Sequence, residues 1–166
     1  MGHVIEDMQM LNNIRTIAGS LLLTSAALLA ACGYSSNSPT APVTQPSNVP
    51  SFITSGTWGV SSLLQRTEDK ASQLSGFGFV FTATGSESGT VVATKGGTSV
   101  SGTWTHAPAV TYYGSSSKES IVLNLGTASP FAMLTKTWNV VSSTTTTLTL
   151  VSPEVLEDMH LVFSRE

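Results

Sequence analysis

The sequence predicts an all-β domain: a small antiparallel meander of eight short strands, closed or nearly closed into a barrel. Three observations predict it. Eight segments between Gly56 and Glu166 alternate apolar and polar residues with period two, and turn residues separate them. Ser, Thr and Gly are abundant while charged residues make up only 10% of 166, unlike the Ala-, Leu-, Glu- and Lys-rich make-up of a helical bundle. An open sheet of eight strands would also leave two unpaired edges, and closure removes both.

The chain begins with an address. Residues Ile17 to Ala31 form an apolar and small-residue run behind Arg15, the pattern of a secretory signal, and the run is short for a permanent span. It exits through Leu29-Ala30-Ala31-Cys32, which resembles the bacterial lipobox: small residues admit the peptidase and the cysteine carries the lipid. Residues 1–31 are therefore expected to be a lipoprotein signal peptide, with Cys32 as the acylated mature N-terminus and the membrane as a partner through that anchor. Glu6 and Asp7 are unusual ahead of such a run, and a start at Met10 would remove both. Gly33, where many inner-membrane lipoproteins carry aspartate, points to the outer membrane of the cell envelope.

Residues 32–55 are rich in Ser, Pro, Thr and Asn with almost no charge, the composition of a flexible tether. The domain is expected over residues 56–166. Thr57 to Leu64 places Trp58, Val60 and Leu64 on one face. Phe77 to Thr82 groups Phe77, Phe79 and Phe81. Thr90 to Lys95 and Ser99 to Thr105 flank Gly96-Gly97, a hairpin signal, with Val100 and Trp104 inward. Ser120 to Leu125 offers Ile121, Leu123 and Leu125, and Thr135 to Val141 offers Trp138 and Val140. Thr146 to Val151 offers Leu148 and Leu150, and Met159 to Ser164 closes with Leu161 and Phe163. Between strands, Ser129 to Leu134 reads as one helical turn capped by Ser129 with Pro130 at its first position, and Pro153 to Asp158 as another short turn.

Composition and motif exclude several functions. A net charge of −3 with no basic patch gives nucleic-acid binding no support. One cysteine makes no internal disulfide. Beyond the leader only His106 and His160 remain; His160 should face solvent beside inward Leu161, and His106 falls in the loop after Thr105. Neither has the spacing of a metal or catalytic site, and Arg66, Glu68, Asp69 and Lys70 read as a solvated loop. Ser115 to Ser117 is a polar loop, and no G-x-S-x-G elbow exists. The sequence predicts no enzyme, no metal and no cofactor.

Taken in order, several features resemble the lipocalin-like lipoproteins of Bacteroidota across essentially the whole chain. They are the lipobox, the tether, Gly56-Thr57-Trp58, the Phe77/Phe79/Phe81 strand and Gly102-Thr103-Trp104. Gly126 to Phe131 with Leu134 and Trp138, Leu148/Leu150 and Leu161/Phe163 complete the pattern. The resemblance implies a lipocalin-like barrel and hints at transport or binding, but brings no site residues with it.

Trp58, Phe77, Phe79, Phe81, Trp104, Trp138 and Phe163 are the candidate barrel interior. They either line a pocket for a small apolar ligand or fill the barrel, and a barrel of eight strands has little room for both. Tyr112, Tyr113 and Phe131 are the candidate mouth, on two segments that interrupt the strand pattern. Two functions follow. One is a membrane-anchored carrier of a small apolar molecule; the other is a solid barrel that contacts a protein or glycan through its loops.

Overall fold

The computed structural model describes residues 43–44 and 47–166; Cys32 and the signal segment lie outside the described residues. Period-two alternation turns every second side chain to one face, and the chain uses that face eight times. The strands are β1 (Thr57–Gln65), β2 (Gly78–Ala83), β3 (Ser88–Lys95), β4 (Thr98–Ala107), β5 (Ser120–Asn124), β6 (Lys136–Ser143), β7 (Thr147–Val151) and β8 (Met159–Arg165). Each pairs antiparallel with the next, and β8 returns to β1 from Met159↔Gln65 to Arg165↔Trp58. The result is a closed eight-stranded antiparallel barrel, with one extra short strand, Glu68–Asp69, beside the end of β1.

Two glycine positions make the path possible. Gly96 and Gly97 both have positive φ, +54° and +86°, as a two-residue turn between β3 and β4 demands. A Cβ on Gly102 would stand 2.1 Å from the Asn124 carbonyl oxygen, so the end of β5 can approach β4 this closely only at a glycine.

An up-and-down path sorts the connections. Residues 84–87, 108–119 and 144–146 lie at the end where β1 starts, called here the near end; residues 66–77, 125–135 and 152–158 lie at the far end. The far end is closed by Leu74, Phe131 and Leu134, all buried.

The near end corrects the expected domain boundary. Val49–Ile53, which composition assigns to the tether, form a short helix, α1, with Pro50 in its first turn and Val49 and Ile53 buried. Apolar residues spaced four apart on a helix share one side, and here that side seals the barrel. The crevice between α1 and the rim, lined by Trp58, Ser143, Thr144 and Leu148, is too narrow to admit a water molecule. The folded unit thus takes in residues before 56.

Two further details differ from the alternation. Ser62 pairs Val162 and Val60 pairs Phe163, which leaves Ser61 as an extra residue in β1. A bulge of this kind shifts the phase of every later residue, so Leu63 is buried in place of Leu64. The turn near Pro130 is a 3-10 helix over Phe131–Met133 with Pro130 at its cap and no side-chain cap bond from Ser129.

If α1 is part of the core, Ile53→Ala should lower unfolding free energy by about 2–5 kcal/mol, the cost of emptying a buried aliphatic site. Urea titration followed by tryptophan fluorescence measures it. A loss within about 0.5 kcal/mol, typical of surface positions, would return α1 to the tether.

Candidate functional site

The interior comes first. Trp58, Phe79, Phe81, Trp104, Trp138 and Phe163 are each at most 2% exposed, so no water-sized space lies beside them. Phe163 meets Phe79 and Phe81 edge to face, with ring centroids at 5.3 and 5.9 Å, an arrangement that aromatic quadrupoles favour. Phe77 differs from its neighbours: it precedes β2 and is half-buried. It packs against Phe131 at 5.0 Å, with the Lys95 ammonium 5.4 Å from its ring. Two tryptophans also hold the ends shut. The Trp58 indole N–H donates to the Ile53 carbonyl at 2.8 Å, and that of Trp138 to Leu134 at 3.0 Å. The Trp104 N–H is buried without a partner among the described residues.

The expected mouth does not form. Phe131 is 4% exposed and plugs the far end, whereas Tyr112 and Tyr113 lie in the β4–β5 connection at the near end. Strand count explains the separation: one strand divides the two connections, and each strand crosses the barrel once. The tyrosines occupy a small hairpin, Val110–Tyr112 against Ser115–Ser116. Its outer arm pairs with residues 43–44, Val43 opposite Thr111 and Thr44 opposite Val110. Tyr113 and Gly114 form the turn with φ of +47° and +78°. A side chain in that left-handed region costs about 1–2 kcal/mol, yet Tyr113 is 64% exposed and Tyr112 44%. The Tyr112 hydrogen bond, with some lost hydration, raises the Tyr113 phenol above its ordinary value.

Sequence reasoning missed a polar cluster at the same end. His106 was expected in a loop, but β4 runs to Ala107, and His106 follows Gly102 and Trp104 on the inner face. Its side chain is 0% exposed. The ring Nδ1 meets a Glu87 carboxylate oxygen and Nε2 meets Glu119 Oε1 at 2.8 Å. Ionised carboxylates only accept, so both contacts are hydrogen bonds when both ring nitrogens carry protons. The Ser47 hydroxyl donates to Glu119 and its Oγ accepts from the Val49 N–H at 3.1 Å. The cluster therefore ties α1 to β4 and to the residues that open β3 and β5. The two carboxylates sit on opposite edges of the ring and cannot converge on one ion. A signal for His106 existed, since the alternation through Val100 and Trp104 reaches it. Glu87, Glu119 and Ser47 carry no such signal, because strand register brings them there.

The far end presents the opposite character. Residues 152–158 are pinned by hydrogen bonds from the Arg66 N–H to the Asp158 carbonyl at 2.8 Å and from Arg66 Nη2 to the Leu156 carbonyl at 3.2 Å. The Glu157 carboxylate accepts from Lys136 Nζ at 2.5 Å and from the Ser152 hydroxyl at 2.8 Å; these bonds, Lys136 first, hold the Glu157 carboxyl below its ordinary value. Beside the loop is an open polar cleft of about 200 Å³ lined by Lys136, Thr137, Ser152, Pro153, Glu154 and Glu157. Val155 and Leu156, 89% and 85% exposed, project from this bonded loop into solvent. His160 is exposed near Asp158; of the Arg66, Glu68, Asp69 and Lys70 cluster, Arg66 holds the loop, Asp69 accepts from the Ala71 N–H and Lys70 pairs with Glu68.

The two histidines make a paired test. His106→Ala removes two contacts to charged groups and should destabilise the fold by about 1.5–3 kcal/mol per hydrogen bond at most. His160→Ala should stay within about 0.5 kcal/mol. Equal effects in chemical denaturation would show that the His106 cluster contributes nothing to the fold.

Comparison with protein-family models, with curated proteins and with solved structures finds no match to this chain.

Proposed function

We propose that this chain is a lipid-anchored lipoprotein of the cell envelope whose barrel is a solid, non-enzymatic interaction module. Cys32 carries the lipid, the residues that follow form the tether, and the outer membrane is the membrane that holds it. The domain meets a protein partner through its loops and outer face and holds no ligand inside. The observation that carries this reading is the filled interior. A carrier needs a pocket of some hundreds of cubic ångströms for its cargo, and the six buried aromatics leave none beside them.

The far-end loop supports a protein partner over a glycan. Val155 and Leu156 stand exposed side by side on a loop whose backbone is bonded in place, the kind of preorganised apolar contact that protein interfaces use. A lipid anchor raises the local concentration of such a module at the membrane, so a modest contact suffices.

The delipidated chain, incubated with an envelope lipid extract and examined by native mass spectrometry, should emerge without bound lipid. A stoichiometric apolar ligand would restore the carrier reading. Cys32→Ala should abolish labelling with a palmitate analogue and leave the precursor uncleaved; continued labelling would overturn the anchor.

A further inference from the structure

We propose that the Tyr112–Tyr113 hairpin is a membrane-contact tip that rests at the headgroup level of the bilayer holding the anchor. The inference rests on the lipid anchor at Cys32 and goes beyond it by fixing which end of the barrel faces the membrane. Four observations carry it. The two rings are exposed and packed on each other, with centroids 4.2 Å apart, so neither serves the core. Tyr113 sits at φ +47° in a turn that Asn or Gly would adopt without strain. An aromatic kept at a strained and exposed position points to a contact outside the molecule.

The third observation is position. Residues 43–44, the first that the structure describes, pair with the hairpin arm that carries Tyr112. Cys32 and Val43 are eleven residues apart, a span of at most about 40 Å fully extended. The hairpin is thus the folded element that the tether delivers first to the membrane.

The fourth is charge. Between Pro108 and Lys118 the one ionisable group besides the tyrosines is Lys118, and the Glu87 and Glu119 carboxylates at this end are engaged by the His106 ring, so the hairpin itself offers a cation and phenols to a surface of phosphate headgroups. Val155 and Leu156 are more exposed, but Glu154, Glu157 and Asp158 flank them, and carboxylates are repelled by an anionic bilayer. Tyrosine, with an apolar ring and a polar hydroxyl, partitions to the boundary between water and hydrocarbon. The far end is left free for the partner.

The test uses the full lipidated chain reconstituted into vesicles of phosphatidylethanolamine and phosphatidylglycerol. Ser115→Cys, next to the turn, is labelled with a polarity-sensitive thiol dye; acylated Cys32 does not react. Glu154→Cys labels the far end as a control. The expected result is a blue shift and loss of quenching by an aqueous quencher at residue 115 but not at residue 154. Both effects should disappear in the Tyr112→Thr, Tyr113→Asn variant, which suits the turn and keeps the barrel fold by circular dichroism. Chain that floats with the vesicles while the residue 115 dye stays water-exposed, with or without the tyrosines, overturns the proposal and leaves the anchor standing. Chain that fails to float, with dye taken up by Cys32, overturns the anchor and the proposal with it.

Discussion

Closure of a short sheet governs this structure. Eight strands of five to ten residues leave no unpaired edge only when β8 meets β1, and a barrel of that size encloses barely more than its own side chains. Once closed, it must be filled, because a void lined by Leu, Phe and Trp forfeits dispersion contacts on every wall. The three tryptophans and the Phe79, Phe81 and Phe163 group meet that demand, and Gly102 yields the space where the Asn124 carbonyl comes close.

Filling the middle shifts the structural problem to the ends. Trp58 holds α1 over one opening and Trp138 holds the Leu134 turn over the other, each through an indole N–H to a main-chain carbonyl. The same core residues that occupy the interior thus fasten its lids, and these bonds satisfy donors that would be costly to leave unpaired. The near end adds the His106 cluster, which joins α1 to three strands' worth of sheet. With both ends sealed, the two ends differ in what they expose: the Tyr112 and Tyr113 rings at the near end, and Val155 and Leu156 among carboxylates at the far end.

Most of the barrel was legible in the sequence. All eight alternating segments are strands, since period two is a local property that each segment reports by itself. Features that depend on pairing were not legible. The extra residue at Ser61 exchanges Leu64 for Leu63, and only the register with β8 reveals it. Glu87 and Glu119 reach His106 because their strands are neighbours, though 19 and 13 residues separate them from it. α1 was hidden for another reason. Its five residues, Val-Pro-Ser-Phe-Ile, are too few for a helical period to show, and tertiary burial of Val49 and Ile53 gives them a structure. No shared mouth forms, because one strand separates residues 108–119 from residues 125–135 and parity sends them to opposite ends.

The solidity of the barrel is the claim on which the rest depends. Xenon enters dry apolar cavities and is visible in crystals, so diffraction from crystals of the domain under xenon pressure examines it most directly. The expected map shows no xenon among Phe79, Phe163, Trp138 and Leu123. A xenon site at full occupancy within that group would mean that the barrel has room for a guest, and would contradict the account.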